Sequence, residues 1–190
     1  MRWHWLGGRP SLDFVNTRRE RWASDRAGSE TLISAADLGA WLAEAGVLEA
    51  TGPPPRAVLD EALELRGAID AVVTAVVTGQ PVPPAAVTRI DDWLVHAGTR
   101  PQLRLHGGAD LSLGERPAAD SPRRALGTIA LDAATLLGSP TERARLRICA
   151  SETCAARFYD RSPAGARRWC SMRTCGNEAK ARRHRERARA

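Results

Sequence analysis

Apolar positions recur at helical spacing through most of the first 140 residues. Between Leu32 and Leu48, the side chains Leu38, Trp41, Leu42 and Ala45 fall on one face of a 3.6-residue period, and Gly46 supplies a stop. The run Pro53-Pro54-Pro55 predicts the start of a longer helix through Leu59, Leu63, Ile69, Val73 and Val76 to Gly79, because proline suits a first helical turn. After Gln80-Pro81-Val82-Pro83-Pro84 a third helix is predicted, with Val87, Ile90, Trp93 and Leu94 turned to a core and Gly98 ending it. From Gln102 to Leu113 the period changes to two. Leu103 and Leu105, then a turn at His106-Gly107-Gly108-Ala109-Asp110, then Leu111 and Leu113 predict a β-hairpin. A last helix is predicted from Pro122 to Leu137, with Leu126, Ile129, Ala130, Ala133 and Leu136 on one face and Gly138 after it. The short opening segment reads as a strand. The fold class expected is therefore mainly α with a small β element (α+β).

Composition and charge divide the chain. A hydrophobic fraction of 43% suits a globular protein, and 190 residues allow one domain or a domain with a small appendage. The longest apolar stretch, near Ala71 to Val77, falls far short of the ~20 residues a membrane span needs. The N-terminus has no apolar core of signal-peptide length, so a cytoplasmic protein with no membrane partner is expected. Residues 1–140 hold 14 basic and 17 acidic side chains, whereas residues 141–190 hold 14 basic and 5 acidic ones. All four cysteines lie in that second segment. A boundary near Gly138-Ser139-Pro140 is predicted, with a helical body over 1–140 and a basic, cysteine-bearing module over 141–190.

The body offers no catalytic constellation. His4, His96, His106 and His184 show no paired metal-ligand spacing, and no HExxH, phosphate-loop or GxSxG pattern occurs. Adjacent helix residues point in different directions, so Asp91-Asp92 reads as a solvated face. Trp3, Trp5, Trp22, Trp41 and Trp93 could line a ligand pocket, but core packing is the default for tryptophan. A protein that is not an enzyme is expected.

The tail carries the chemistry. Cys149-x4-Cys154 and Cys170-x4-Cys175 form two symmetric pairs within 27 residues. Two such pairs supply the four sulfurs of a tetrahedral zinc site, whereas two disulfides or four unrelated thiols would be the alternatives. A reducing compartment disfavours disulfides. Four thiolates leave no open coordination position, so a single structural zinc is expected. Little apolar material accompanies it: Leu146, Ile148, Phe158, Tyr159 and Trp169 are nearly all, so metal binding has to supply much of the module's folding energy. Gly176 is predicted in a tight turn and Asn177 as the cap of a helix from Glu178 to about Ala188. That helix carries Lys180, Arg182, Arg183, Arg185 and Arg187, with Arg189 just beyond, and Arg167, Arg168 and Arg173 precede it. These, with Asn177, are the candidate nucleic-acid-binding residues. A merely solubilising basic terminus is the bland alternative.

The string Cys-x4-Cys-Ala-Ala-Arg-Phe-Tyr-Asp-Arg-Ser, with Arg-Arg-Trp-Cys-Ser-Met-Arg-Thr-Cys-Gly-Asn after it, resembles the CGNR zinc finger. Gly7-Gly8 and Leu12-Asp13-Phe14-Val15-Asn16-Thr17 resemble the start of its usual partner, the ABATE domain. The resemblance implies a bacterial stress-response transcription regulator, at the nucleoid in the cytoplasm, whose finger binds DNA. One position departs from the pattern: Glu178 stands where the family's name calls for Arg. Asp160 and Arg168 are candidates for a scaffold salt bridge in the finger. Two rival expectations and one corollary accompany this reading. RNA could replace DNA, although Phe158, Tyr159 and Trp169 are few aromatics for stacking bases. The body could be an enzymatic domain or one that binds a small-molecule effector, with Asn16, Thr17 and Arg19 as candidate ligand-binding residues and the finger as accessory. A homodimer is expected to strengthen binding by a single small finger.

Overall fold

Proline and glycine set most of the helix boundaries. The computed structural model describes residues 3–19, 28–49, 52–98, 101–115, 121–151 and 153–188; Trp22 and Arg189 lie outside the described residues. The protein is mainly helical with small two-stranded antiparallel sheets. Helix α1 spans Pro10–Val15, α2 Ala35–Glu44, α3 Arg56–Thr78, α4 Pro84–Leu94 and α5 Pro122–Gly138. Ser34 and Asp37 cap α2 reciprocally. Left-handed glycines follow α2 and α3, at Gly46 (φ 70°) and Gly79 (φ 68°). Pro84 and Pro122 occupy the first turns of α4 and α5.

The opening segment corrects the expected strand. Residues 10–15 form α1, which starts at Pro10 after an extended Arg9. Asp13 accepts the Gly7 N–H at 2.7 Å, and Asp132 of α5 accepts the Ser11 N–H at 3.0 Å and pairs with the Arg9 guanidinium at 2.8 Å. These polar ties hold the short helix where its own hydrogen bonds would not.

The main core lies around α3. Its Leu59, Leu65, Ile69 and Val73 meet Leu12, Phe14, Trp41, Ile90, Trp93, Leu126 and Ile129 in one buried cluster. Five positions of the predicted helical faces are less buried: Val87 is exposed, and Ala45, Leu63, Val76 and Leu94 are half-buried. Helix α5 runs close against the end of α4 at Gly127, where a Cβ would stand 2.5 Å from the His96 carbonyl carbon. The short strands β1 (Arg18–Arg19) and β2 (Ser29–Glu30) pair beside a buried polar group the periodicity gave no sign of. There the Arg66 guanidinium of α3 donates to Thr17 Oγ1 at 2.8 Å and forms an ion pair with Glu30.

Strands β3 (Pro101–Gly107) and β4 (Asp110–Glu115) form the predicted hairpin, with Leu103 opposite Leu113 and Leu105 opposite Leu111. Leu103, Leu105 and Leu111 are exposed. Beyond α5, a short helix α6 (Pro140–Arg143) leads into β5 (Leu146–Ile148), which pairs with β6 (Arg157–Tyr159). A π-helical turn at Met172–Gly176 runs directly into α7 (Asn177–Arg187). No helix among the described residues is long and apolar enough to cross a membrane.

Candidate metal centre and nucleic-acid interface

The two cysteine pairs come from two different local structures. Cys149 and Cys154 flank a turn between β5 and β6, closed by Cys149 N–H donating to the Ala156 carbonyl at 2.8 Å and Cys154 N–H to the Ser151 carbonyl at 3.2 Å. Ala155, just after Cys154, takes a left-handed φ of 54°, unusual for a residue with a Cβ. Cys170 and Cys175 bracket the entry to the π-turn, whose N-cap is Ser171 accepting from Thr174 N–H. The four sulfurs lie within 4.8 Å of one another. Cys154 and Cys170 are 3.6 Å apart and Cys170 and Cys175 3.7 Å apart. A regular tetrahedron with metal–sulfur bonds of about 2.3 Å has edges of about 3.8 Å, so these spacings fit one zinc ion.

Crowding of the four sulfurs sets their electrostatics. Hydrogen bonds from the Cys154 and Cys170 thiols pull Cys149 down to about 2, helped by backbone N–H donors that include Cys170. The hydrogen bond with Cys149 pushes Cys154 and Cys170 up, and burial with the charge of its neighbours lifts Cys175 to about 12. With no cation among them these groups favour one thiolate and three thiols, so closing a four-thiolate shell on a metal ion must release the other protons. The module therefore holds a single structural zinc through Cys149, Cys154, Cys170 and Cys175. Such a closed thiolate shell leaves no position for substrate.

Phe158, fully buried, packs on Cys149, Cys170 and Cys175 with Trp169, Ala156 and Leu6 around them. Leu6 comes from the opposite end of the chain. Leu146 and Tyr159, counted from sequence as the module's own apolar material, belong instead to the body's core cluster. Asp160, fully buried, accepts from the N–H groups of Ser162 at 2.9 Å and Arg167 at 2.8 Å. Burial would raise its carboxyl, but these donors outweigh burial and hold it below the usual range. The expected Asp160–Arg168 salt bridge is thus replaced by a bond to the Arg167 backbone; the Arg168 guanidinium lies 5.2 Å from the Trp169 ring centroid.

The N-terminal motif is the grip on this module. Asn16 Nδ2 donates to the Arg157 carbonyl at 2.8 Å and Asn16 Oδ1 accepts the Arg157 N–H at 2.9 Å. Tyr159 N–H donates to the Gly7 carbonyl at 2.8 Å. The buried Arg157 guanidinium pairs with Asp70 at 2.7 Å and donates to Thr74 Oγ1 at 3.0 Å, both on α3, and to the Ala155 carbonyl. Asn16 and Thr17, candidate ligand contacts by sequence, thus spend their side chains on protein partners. Thr17 Oγ1 donates to the Phe14 carbonyl at 2.7 Å and accepts from Arg66. Arg19 lines a cleft of about 560 Å³ between body and finger, with Trp3, Trp5, Leu6, Arg173 and Glu178.

The basic candidates separate into two groups. Arg167 is half-buried: its guanidinium donates to the Cys170 carbonyl at 2.6 Å and sits 5.2 Å from the Phe158 ring centroid, so it is scaffold. Arg168, Arg173, Lys180, Arg183, Arg185 and Arg187 are exposed, and Arg182 is half-buried beside Glu186. Asn177 does not cap α7. It lies within the helix, donating to the Arg173 carbonyl at 3.0 Å, because the π-turn begins the helical path at Ser171. Gly176 likewise has helical φ (−67°) rather than a tight turn's geometry; a Cβ there would stand 3.1 Å from the Met172 side chain. Arg157, Asp70 and Arg66 escaped the sequence reading, since single polar residues in apolar helices and strands carry no periodic signal.

Two family models match the chain. The ABATE model, described as "Putative stress-induced transcription regulator", matches residues 8–140, and the CGNR zinc finger model matches residues 145–188. A search of curated proteins found no match.

Proposed function

The chain belongs to the ABATE family of transcription regulators and carries a CGNR zinc finger; on that premise we propose that it is a non-enzymatic regulator acting at the bacterial nucleoid, under stress, whose finger binds duplex DNA. The observation that carries this reading is α7. Of its eleven residues only Ala179 is buried, and the helix presents Lys180, Arg183, Arg185 and Arg187 to solvent. Its first turn is fixed to the zinc ligand Cys175, so the charge stands on a rigid base. A basic helix already folded on the metal site is attracted to a polyanion without having to order its backbone on binding.

Duplex DNA fits this surface better than single-stranded RNA. Phe158 is fully buried, and Tyr159 and Trp169 are partly buried, so the finger offers little aromatic platform for unpaired bases. The test is anisotropy of the intact protein with a random duplex at rising salt, with Cys170→Ser alongside. Salt-sensitive binding lost in the variant supports the reading. No binding at low salt by protein holding one zinc per chain overturns it.

A second reading rests on the body–finger cleft, whose wall includes Trp3 and the partly exposed Trp5. A volume of about 560 Å³ lies in the range of small-molecule sites, and an effector there would touch both parts. A metabolite that raises the melting point of the wild type but not of Trp5→Ala supports it. Because one finger covers few base pairs, DNA binding as a homodimer belongs to the same proposal; a strict monomer on DNA in sedimentation counts against that part.

A further inference from the structure

Helix α7 has a distinct outer face. At about 100° per residue, Asn177, Lys180, Ala181, His184 and Ala188 share the side opposite the buried Ala179, and all five are exposed. Arg187 borders that face on one side and Arg185 on the other, while Arg182, Arg183 and Glu186 lie to the rear, on the side of Ala179. The centre of the face is thus small and uncharged, with cations along its rims. A helix that only repels its neighbours or solubilises a terminus has no need of that division.

We propose that this face enters the major groove of B-form DNA, with Asn177 and His184 reading base edges and Arg185, Arg187 and Lys180 holding the phosphates on either rim. The proposal rests on the duplex-DNA reading and specifies it. A groove about 12 Å wide admits an α-helix, and the short side chains of Ala181 and Ala188 let the helix backbone approach the base edges closely. Alanine also makes favourable contact with the thymine methyl, and asparagine pairs with the N6 and N7 edge of adenine; beyond its bond to the Arg173 carbonyl, the Asn177 amide keeps a second N–H and its Oδ1 for such a pair. The imidazole of His184 adds a ring nitrogen for a third hydrogen bond. Glu178, which stands near the Arg185 flank and lines the body–finger cleft, is kept off the reading face. An A-form RNA duplex has a major groove too narrow for this mode.

Three variants of the full-length, zinc-loaded protein test it: Ala181→Phe, His184→Ala and Arg185→Gln. Each substitutes an exposed position, and zinc content and melting point verify the fold. Binding to random duplex is read across a salt series, and preferred sequences are selected from a randomised pool. The expected result is at least a tenfold loss of duplex affinity in Ala181→Phe. His184→Ala should relax the preference at one base position at an unchanged salt slope, and Arg185→Gln should lower the slope by about one at unchanged preference. Duplex binding that survives Ala181→Phe within twofold overturns the groove assignment and leaves DNA binding standing. Equal affinity for an RNA duplex, or a selected sequence unaffected by His184→Ala, also overturns it. Absence of duplex binding by the wild type removes the underlying reading and this proposal together.

Discussion

Asp13 shows how one motif residue can hold the fold at an energetic cost. Its carboxyl is nearly buried against Gly7, and burial lifts it from 3.8 to about 6, with the Asp132 carboxylate adding to the rise. A group whose folded value lies above its unfolded one binds more protons in the native state, so its contribution to stability is best at low pH. It declines as pH rises from about 4 to about 6. Glu30 behaves oppositely: burial would raise it, but hydrogen bonds from Arg66 and the Leu32 N–H hold it low, so its contribution is lost only as pH falls below the ordinary glutamate range. Asp13→Asn keeps an oxygen for the Gly7 N–H and has no charge to bury. The stability gap between Asp13→Asn and wild type in urea unfolding is expected to grow in favour of the variant from pH 4.5 to 6.5. A constant gap would mean that Asp13 does not titrate in that window.

At the scale of elements, the join between α1 and β6 decides how the finger sits. Asn16 satisfies both the N–H and the C=O of Arg157, and removing the amide leaves two buried backbone groups without partners. At roughly 1–3 kcal/mol for each unsatisfied group, Asn16→Ala should cost about 2–6 kcal/mol in urea unfolding. Zinc affinity should fall with it, because Arg157 also braces the strained Ala155 next to Cys154; unchanged affinity would separate the clamp from the metal site. This join was illegible in the sequence: its two residues are 141 positions apart, and neither belongs to a periodic pattern. The long helices were legible because spacing and punctuation agree in them, as in α3 between Pro55 and Gly79. In α1 they conflict, since Leu12 and Phe14 alternate like a strand while Pro10 begins a helix. The zinc ligands were legible because coordination demands a spacing that survives without knowledge of the fold. The helix cap was not, because a π-turn shifts the start of the helical path from Asn177 back to Ser171.

For the whole molecule, the sharing of Leu146 and Tyr159 with the body and of Leu6 with the finger means that neither core is complete without the other. Chelating the zinc should therefore lower the melting point of the whole chain in one transition; two separate transitions, with the body's unmoved, would show independent units. The same unity bears on DNA binding. Because β6 is fixed to α3 through Arg157 and Asp70, the body is held rigidly beside the basic helix and must be accommodated next to any duplex that α7 meets. The body is slightly acidic, with 14 basic against 17 acidic residues over 1–140, so it adds no net attraction. On the proposed DNA reading, the phosphate contacts are expected mainly from the finger. With about six to eight of them, log affinity should fall against log salt with a slope of roughly −5 to −7. A slope shallower than about −3 would show that no more finger cations reach phosphate than Lys180, Arg185 and Arg187 supply.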